Sequence, residues 1–241
     1  MNTPLIVAHA AALVVFLVPA ILLGAWLHNR NQQINWNALA AFTLAYLAHI
    51  LVLALPQLPP FETLRFNWQN KVLVAALLAG FFAACPIEFR KLAGFTRPNG
   101  PWIIPALIGT VTLVILGVFA GLMAGPQRPL TSETILFQAL VPGFDEELLY
   151  RGLLWALLVK AYDLKSRGSQ WIALVFTTLL FSLVHSVVWL DGSISFNFAP
   201  FLATFVVGFW LAWTRLYTGS IVLPIILHNV YNVLFNLIAA G

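Results

Sequence analysis

TILFQALVPGFDEELLYRGLLWALLV, residues Thr134 to Val159, is an apolar run longer than one bilayer crossing needs, broken by Pro142-Gly143 and studded with Asp145, Glu146, Glu147 and Arg151. A hydrocarbon core about 30 Å thick is crossed by about 20 helical residues. An ionisable side chain at that depth costs about 2.5 to 3.5 kcal/mol even on the most forgiving insertion scale, so the acidic cluster marks function. Proline removes a backbone donor and its ring clashes with the preceding turn. The run is therefore expected to form either a kinked helix or a short lead-in helix followed by a new one near Pro142. Asp145 and Glu146 then fall in the first turn, where the helix dipole favours carboxylates.

The rest of the chain has the same character. Of 241 residues 61% are hydrophobic and only 8% charged, against about 25% charged in a soluble domain. The mean hydropathy is +0.91. The expected fold is an all-α polytopic membrane protein of about eight transmembrane helices, with a polar catalytic cavity in the bundle. Further runs lie at Leu5 to Leu27, Ala38 to Leu58, Val72 to Ala84, Trp102 to Met123, Trp171 to Leu190, Ala199 to Leu216 and Ile221 to Ala240. The third is short and reads as tilted or interfacial. The first has too long an apolar core for a signal peptide and no basic residue before it, so it reads as a retained span. Residues 1–133 are expected to hold the first four helices and 134–241 the remaining, catalytic four.

Charge supplies orientation. Alternate loops carry Arg30, Arg90, Lys91, Arg97, Lys160, Lys165, Arg167 and Arg215 on one side and Arg65, Lys71 and Arg128 on the other, and the richer side is cytoplasmic. Both termini then face outward. The net charge of +4 largely reflects this bias. No basic tract or aromatic groove motif points to nucleic acid. The single cysteine, Cys85, excludes an internal disulfide framework and a Cys-rich metal site and reads as an apolar filler.

Polar residues recur in two later runs. Phe181 and His185 share one helical face, as do His228 and Asn232, with Asn236 continuing the stripe. At about 3.6 residues per turn Glu147 and Arg151 are i,i+4 neighbours able to pair, which leaves Glu146 as the carboxylate that accepts a proton. His228 and Asn232 can hold a metal or donate to an oxyanion. Taken singly, each of these groups also has a structural reading, as an ion pair or as interhelical hydrogen bonds. His9, His28 and His49 read as terminal, interfacial and packing groups, and Glu88, Arg90 and Lys91 as a solvated loop.

In order, Glu146-Glu147-x-x-x-Arg151-Gly152, Phe181-x-x-x-His185 and His228-x-x-x-Asn232 resemble the three motifs of the CAAX protease and bacteriocin-processing family of intramembrane proteases. A stretch from Gly208 and Ala212 through Thr218-Gly219-Ser220 and Pro224-Ile225 to His228 is similar to the segment the family places before its last motif. The resemblance covers about Thr134 to Asn236, and Tyr150 stands where the family commonly has Phe.

The resemblance implies an eight-helix endopeptidase related to the Ras-converting prenyl protease. Glu146 and His185 would activate water, His228 and Asn232 would stabilise the oxyanion, and Glu147 with Arg151 would hold the site together. No cofactor is favoured. Zinc on Glu146, His185 and His228 is the alternative, although no His-Glu-x-x-His helix is present and Asn is a poor zinc ligand.

The expected partners are the bilayer and a membrane-associated peptide: a prenylated C-terminus, a bacteriocin or pheromone leader, or the anchor of a surface protein. The expected location is a bacterial or archaeal inner membrane. Other classes are a non-catalytic immunity or scaffold protein and a secondary transporter; for the latter, paired broken segments in corresponding halves are missing from the sequence.

Overall fold

Apolar runs in lipid must satisfy their backbone groups internally, so they fold as helices. A computed structural model describes residues 3–28, 33–124 and 130–239. Its helices are α1 (Thr3–His28), α2 (Trp36–Leu53), α3 (Trp68–Ala84), α4 (Ile87–Leu92), α5 (Ile103–Ala124), α6 (Ser132–Leu140), α7 (Pro142–Glu147), α8 (Trp155–Ala161), α9 (Trp171–Val184), α10 (Phe198–Thr218) and α11 (Val222–Ala239). Among the described residues four helical stretches are long and apolar enough to cross a membrane: Thr3–Leu27, Trp36–Leu53, Gly100–Phe119 and Phe198–Thr218. Trp68–Ala84, Trp171–Val184 and Val222–Ile238 are shorter apolar helices.

Four local departures from the sequence reading have physical causes. The long acidic run is divided: α6 stops at Val141, Pro142 opens α7, and Leu148–Leu154 winds as a π-helix before α8. The expected lead-in helix is therefore present, whereas the assumption of 3.6 residues per turn through Arg151 gives way to i→i+5 geometry, a form that recurs at functional sites. The all-α expectation misses a hairpin. Helix α9 ends at Val184, and β1 (Val187–Leu190) pairs antiparallel with β2 (Ser193–Phe196). Asp191 and Gly192 at its tip both have positive φ, 49° and 80°, the primed turn that an Asp-Gly pair favours. The Glu88, Arg90 and Lys91 stretch forms α4 rather than a loop. Finally, α3 starts at Trp68, ahead of its apolar run, and so takes Lys71 into a helix.

The chain forms two compact units from interleaved segments. The first comprises Met1–Pro56 and Leu149–Ala212. In it Phe16 stacks on Phe42 at 5.1 Å and meets Phe176 edge-on at 5.5 Å. Asn35 caps α2, its side chain accepting from Ala38 N at 3.1 Å, while its own N–H donates to Ala161 O at 2.9 Å. Such a cap contributes about 1 kcal/mol. Tyr162 Oη donates to Ala20 O at 2.8 Å. The hairpin packs against α1.

The second unit comprises Gln57–Leu148 and Trp213–Gly241. Helix α11 packs on α5, α6 and α7, and α3 on α7. Phe137 of α6 stacks on Phe66 at 4.4 Å and meets Trp68 at 5.1 Å. The Glu133 carboxylate accepts from Arg65 N at 3.0 Å and Trp68 Nε1 at 3.1 Å, which pins the start of α3 to α6. Arg215 is buried and donates to Leu92 O at 2.8 Å, so it is not the free loop cation expected of it. Gly94 makes room for it at a φ of +93°, where an added Cβ would lie 2.5 Å from Arg215 Nε.

Candidate active site

The acidic helix α7 is held at its start by a neighbour the sequence did not nominate. Gly143 N donates to Asn229 Oδ1 of α11 at 2.7 Å. This satisfies one of the backbone donors that a helix start leaves orphaned. A Cβ at position 143 would lie 2.5 Å from Ile225 O and 2.6 Å from Asn229 Oδ1, so only glycine admits this approach. Pro142 at the first helical position forgoes a donor that would be orphaned anyway. The signal was present in the sequence as Pro-Gly before the acids and Asn directly after His228.

Seating α7 on α11 brings the acids to His228. Glu147 is fully buried, and its Oε1 lies 2.9 Å from His228 Nδ1. An ionised carboxylate only accepts, so Nδ1 carries the proton of this bond. That arrangement fixes the ring orientation and turns Nε2 towards Glu146 Oε2, 3.8 Å away. Nε2 presents a lone pair in the neutral ring and a donor in the imidazolium. Asn232, one turn further along α11, is half-buried, and its carbonyl accepts from Asn236 Nδ2 at 2.8 Å.

A cation joins the same cluster. Lys71 Nζ lies 2.6 Å from Glu146 Oε1 and 2.9 and 3.2 Å from the two oxygens of Asp145. Asp145 is fully buried, and the Lys71 and Glu146 side chains are only 18% and 13% exposed. Burial matters here because an ion pair in solvent contributes about 0 to 1 kcal/mol, whereas removing one partner of a buried pair costs about 3 to 5 kcal/mol. The sequence reading took Lys71 for a topology determinant in a loop. It looked so because polar Asn67, Gln69 and Asn70 precede it and the apolar run begins only at Val72.

Two expected site residues belong to the first unit. Arg151, on the π-helical turn, is buried; it donates from Nη2 to Gly208 O at 2.7 Å and lies 4.6 Å over the Phe181 ring. A Cβ on Gly208 would come within 2.9 Å of Phe181 Cδ1 and 3.1 Å of Arg151 Nη2. His185 caps the end of α9 and is exposed; its Nδ1 is 2.6 Å from Phe181 O and the two rings are 4.5 Å apart. The expected sharing of one face by Phe181 and His185 is thus realised at a helix end rather than in mid-helix.

The zinc alternative needs three donors around one point. Glu146 Oε1 already contacts an ammonium, and among the described residues no group of three or more His, Cys, Asp or Glu side chains is arranged to hold a metal ion.

Residues 128–234 match the family described as type II CAAX prenyl endopeptidase Rce1-like. A relative from Escherichia coli, an uncharacterised 24.3 kDa protein, is 25% identical over 139 residues, covering 52% of this chain and 59% of the relative. The chain therefore spans a little over half the length of that relative. No solved structure matches. The apolar helices and the family together make this an integral membrane protein.

Proposed function

We propose that this chain is an intramembrane endopeptidase that hydrolyses a peptide bond of a membrane-associated substrate, and that Glu146 is its base. The observation that carries this reading is the pairing of Glu146 Oε2 with His228 Nε2 at 3.8 Å, with Glu147 directly behind the imidazole. The gap is too wide for a direct hydrogen bond and narrow enough for one water to touch both groups at about 2.8 Å.

In the first step Glu146 Oε2 takes a proton from that water as its oxygen bonds to the scissile carbonyl carbon. The tetrahedral oxyanion accepts from His228 Nε2–H and from the carboxamide of Asn232. Glu147 holds the ring from Nδ1 in the orientation that aims Nε2 at the reacting atoms, as the acid of a triad does. Collapse breaks the C–N bond, and Glu146 returns its proton to the departing amine. A positioned base contributes about 10²- to 10⁴-fold, and each oxyanion donor about 10²- to 10³-fold. The motif gives His185 a share in water activation, with Arg151 as support for the acidic segment; both roles rest on the sequence.

An apolar cleft of about 440 Å³ lies along α6, α7 and α11, lined by Ala139, Phe144, Ile225, Asn229 and Val230. It suits an apolar side chain or lipid tail on the substrate, in keeping with the words prenyl endopeptidase in the family description. The decisive experiment maps new protein termini in membranes of cells expressing the chain or its Glu146→Gln variant at matched folded levels. A set of termini made only by the unaltered chain is expected. Identical sets from both sink the protease reading.

A further inference from the structure

The cluster holds one charged pair that the proposed chemistry does not use. Lys71 comes from α3, outside the matched segment 128–234, and reaches a carboxylate on which the chemistry depends. Its ammonium has three donors and no acceptor. The partners within reach are Glu146 Oε1 at 2.6 Å and both oxygens of Asp145 at 2.9 and 3.2 Å. The two oxygens of Glu146 are thereby made unequal. Oε1 pairs with Lys71, and Oε2 faces His228 Nε2.

We propose that Lys71 is a positioning residue of this site: it fixes the Glu146 carboxylate so that Oε2 faces the attacking water, with Asp145 as its second carboxylate partner. The inference rests on the reading of Glu146 as base. Asp145 has a distinct task within it. When Oε2 takes up the proton of water, Glu146 loses its charge, and a lone ammonium in a buried site is costly to leave uncompensated. Asp145, fully buried and touching the same Nζ, keeps that ammonium paired through the step. Lys71 therefore need not move or change partner as the base cycles between its two forms. A flexible ammonium suits this duty better than a guanidinium, whose planar fork demands fixed bidentate geometry.

Among the described residues, charged or titratable groups face Glu146 from α3 (Lys71), α7 (Asp145 and Glu147) and α11 (His228). Removing Lys71 takes away the ion pair that holds Glu146 Oε1, and a less precisely held base costs turnover rather than affinity. The test uses the full-length chain in lipid nanodiscs with a quenched-fluorescent peptide ending in an S-farnesylated Cys-aliphatic-aliphatic-X sequence. Lys71→Met is expected to lower kcat about 100-fold with KM within about twofold, and Lys71→Arg to recover to within about tenfold of the unaltered chain, on the scale of lost supporting contacts. Asp145→Asn is expected to lower kcat less than Lys71→Met.

A kcat within threefold of normal for Lys71→Met overturns the proposal. So does an equal loss in the Met and Arg variants. A second measurement is independent of turnover: melting temperatures of Lys71→Met, Glu146→Gln and the double variant. A double variant less destabilised than the sum of the single ones shows the two groups acting on each other, and strict additivity refutes the contact. If the unaltered chain makes no termini that depend on Glu146, the protease reading fails while this thermal cycle still decides whether Lys71 acts through Glu146.

Discussion

Lys71 and Arg151 are both cations drawn into apolar helical surroundings, one in each compact unit, and they are held in opposite ways. Lys71 places a small, strongly hydrated charge among carboxylate oxygens. Arg151 spreads its charge over a plane, donating to the Gly208 carbonyl and lying against Phe181 and, at 5.9 Å, Tyr150. The first arrangement is electrostatic and tolerates small movements of a reacting acid. The second depends on shape, because a guanidinium must present both an edge for hydrogen bonding and a face for stacking. Charge next to the proposed chemistry is thus supplied by lysine, and the π-helical turn is anchored by arginine.

The contrast can be broken from either end. Glu146→Gln removes the acid that Lys71 positions and should lower the cleavage rate by about 10²- to 10⁴-fold at matched folded levels; a normal rate in purified enzyme would dissolve the electrostatic half of the contrast. Glu147→Gln keeps the shape behind His228 but withdraws the charge, and should lower kcat of the folded fraction about 10- to 100-fold, together with a lowered melting temperature because the buried pair is broken. For the shape-dependent half, Arg151→Lys keeps the charge and loses the fork and the stack. It should destabilise the protein by about 2 kcal/mol in denaturant titration, and wild-type stability would show that charge alone suffices there.

Gly208→Ala presses on the same guanidinium from the opposite side. It should cost about 1 kcal/mol, since the Phe181 ring edge and Arg151 Nη2 can yield by a few tenths of an ångström. Tyr162→Phe, which removes the hydrogen bond to Ala20 O, sets the floor at about 1 kcal/mol or less, with cleavage unaffected.

What the sequence discloses and what it hides follow the range of the interactions. Apolar runs declare helices because hydropathy is a local property, and the break at Pro142 is local too. The approach of His228 to Glu146 and Glu147 could be expected only from the motifs, since 81 residues separate His228 from Glu147. Lys71 was misplaced because a lysine at the polar end of an apolar run looks the same whether it faces water or a carboxylate 74 residues away. The hairpin after His185 was legible in principle, as Asp191-Gly192 between Val187-Val188-Trp189-Leu190 and Ser193-Ile194-Ser195-Phe196, but the long apolar reading of Trp171 to Leu190 absorbed its first strand. The π-helical turn has no comparable residue signature.

The missing side chain at position 143 reaches beyond this one chain. Two helices whose backbones meet through a single hydrogen atom cannot drift independently. A descendant that gains a methyl group there has to slide α7 along its neighbour, because the Ile225 carbonyl blocks it whatever side chain stands at 229. Glycine held at 143 across an aligned set of descendants would record that constraint as a historical trace.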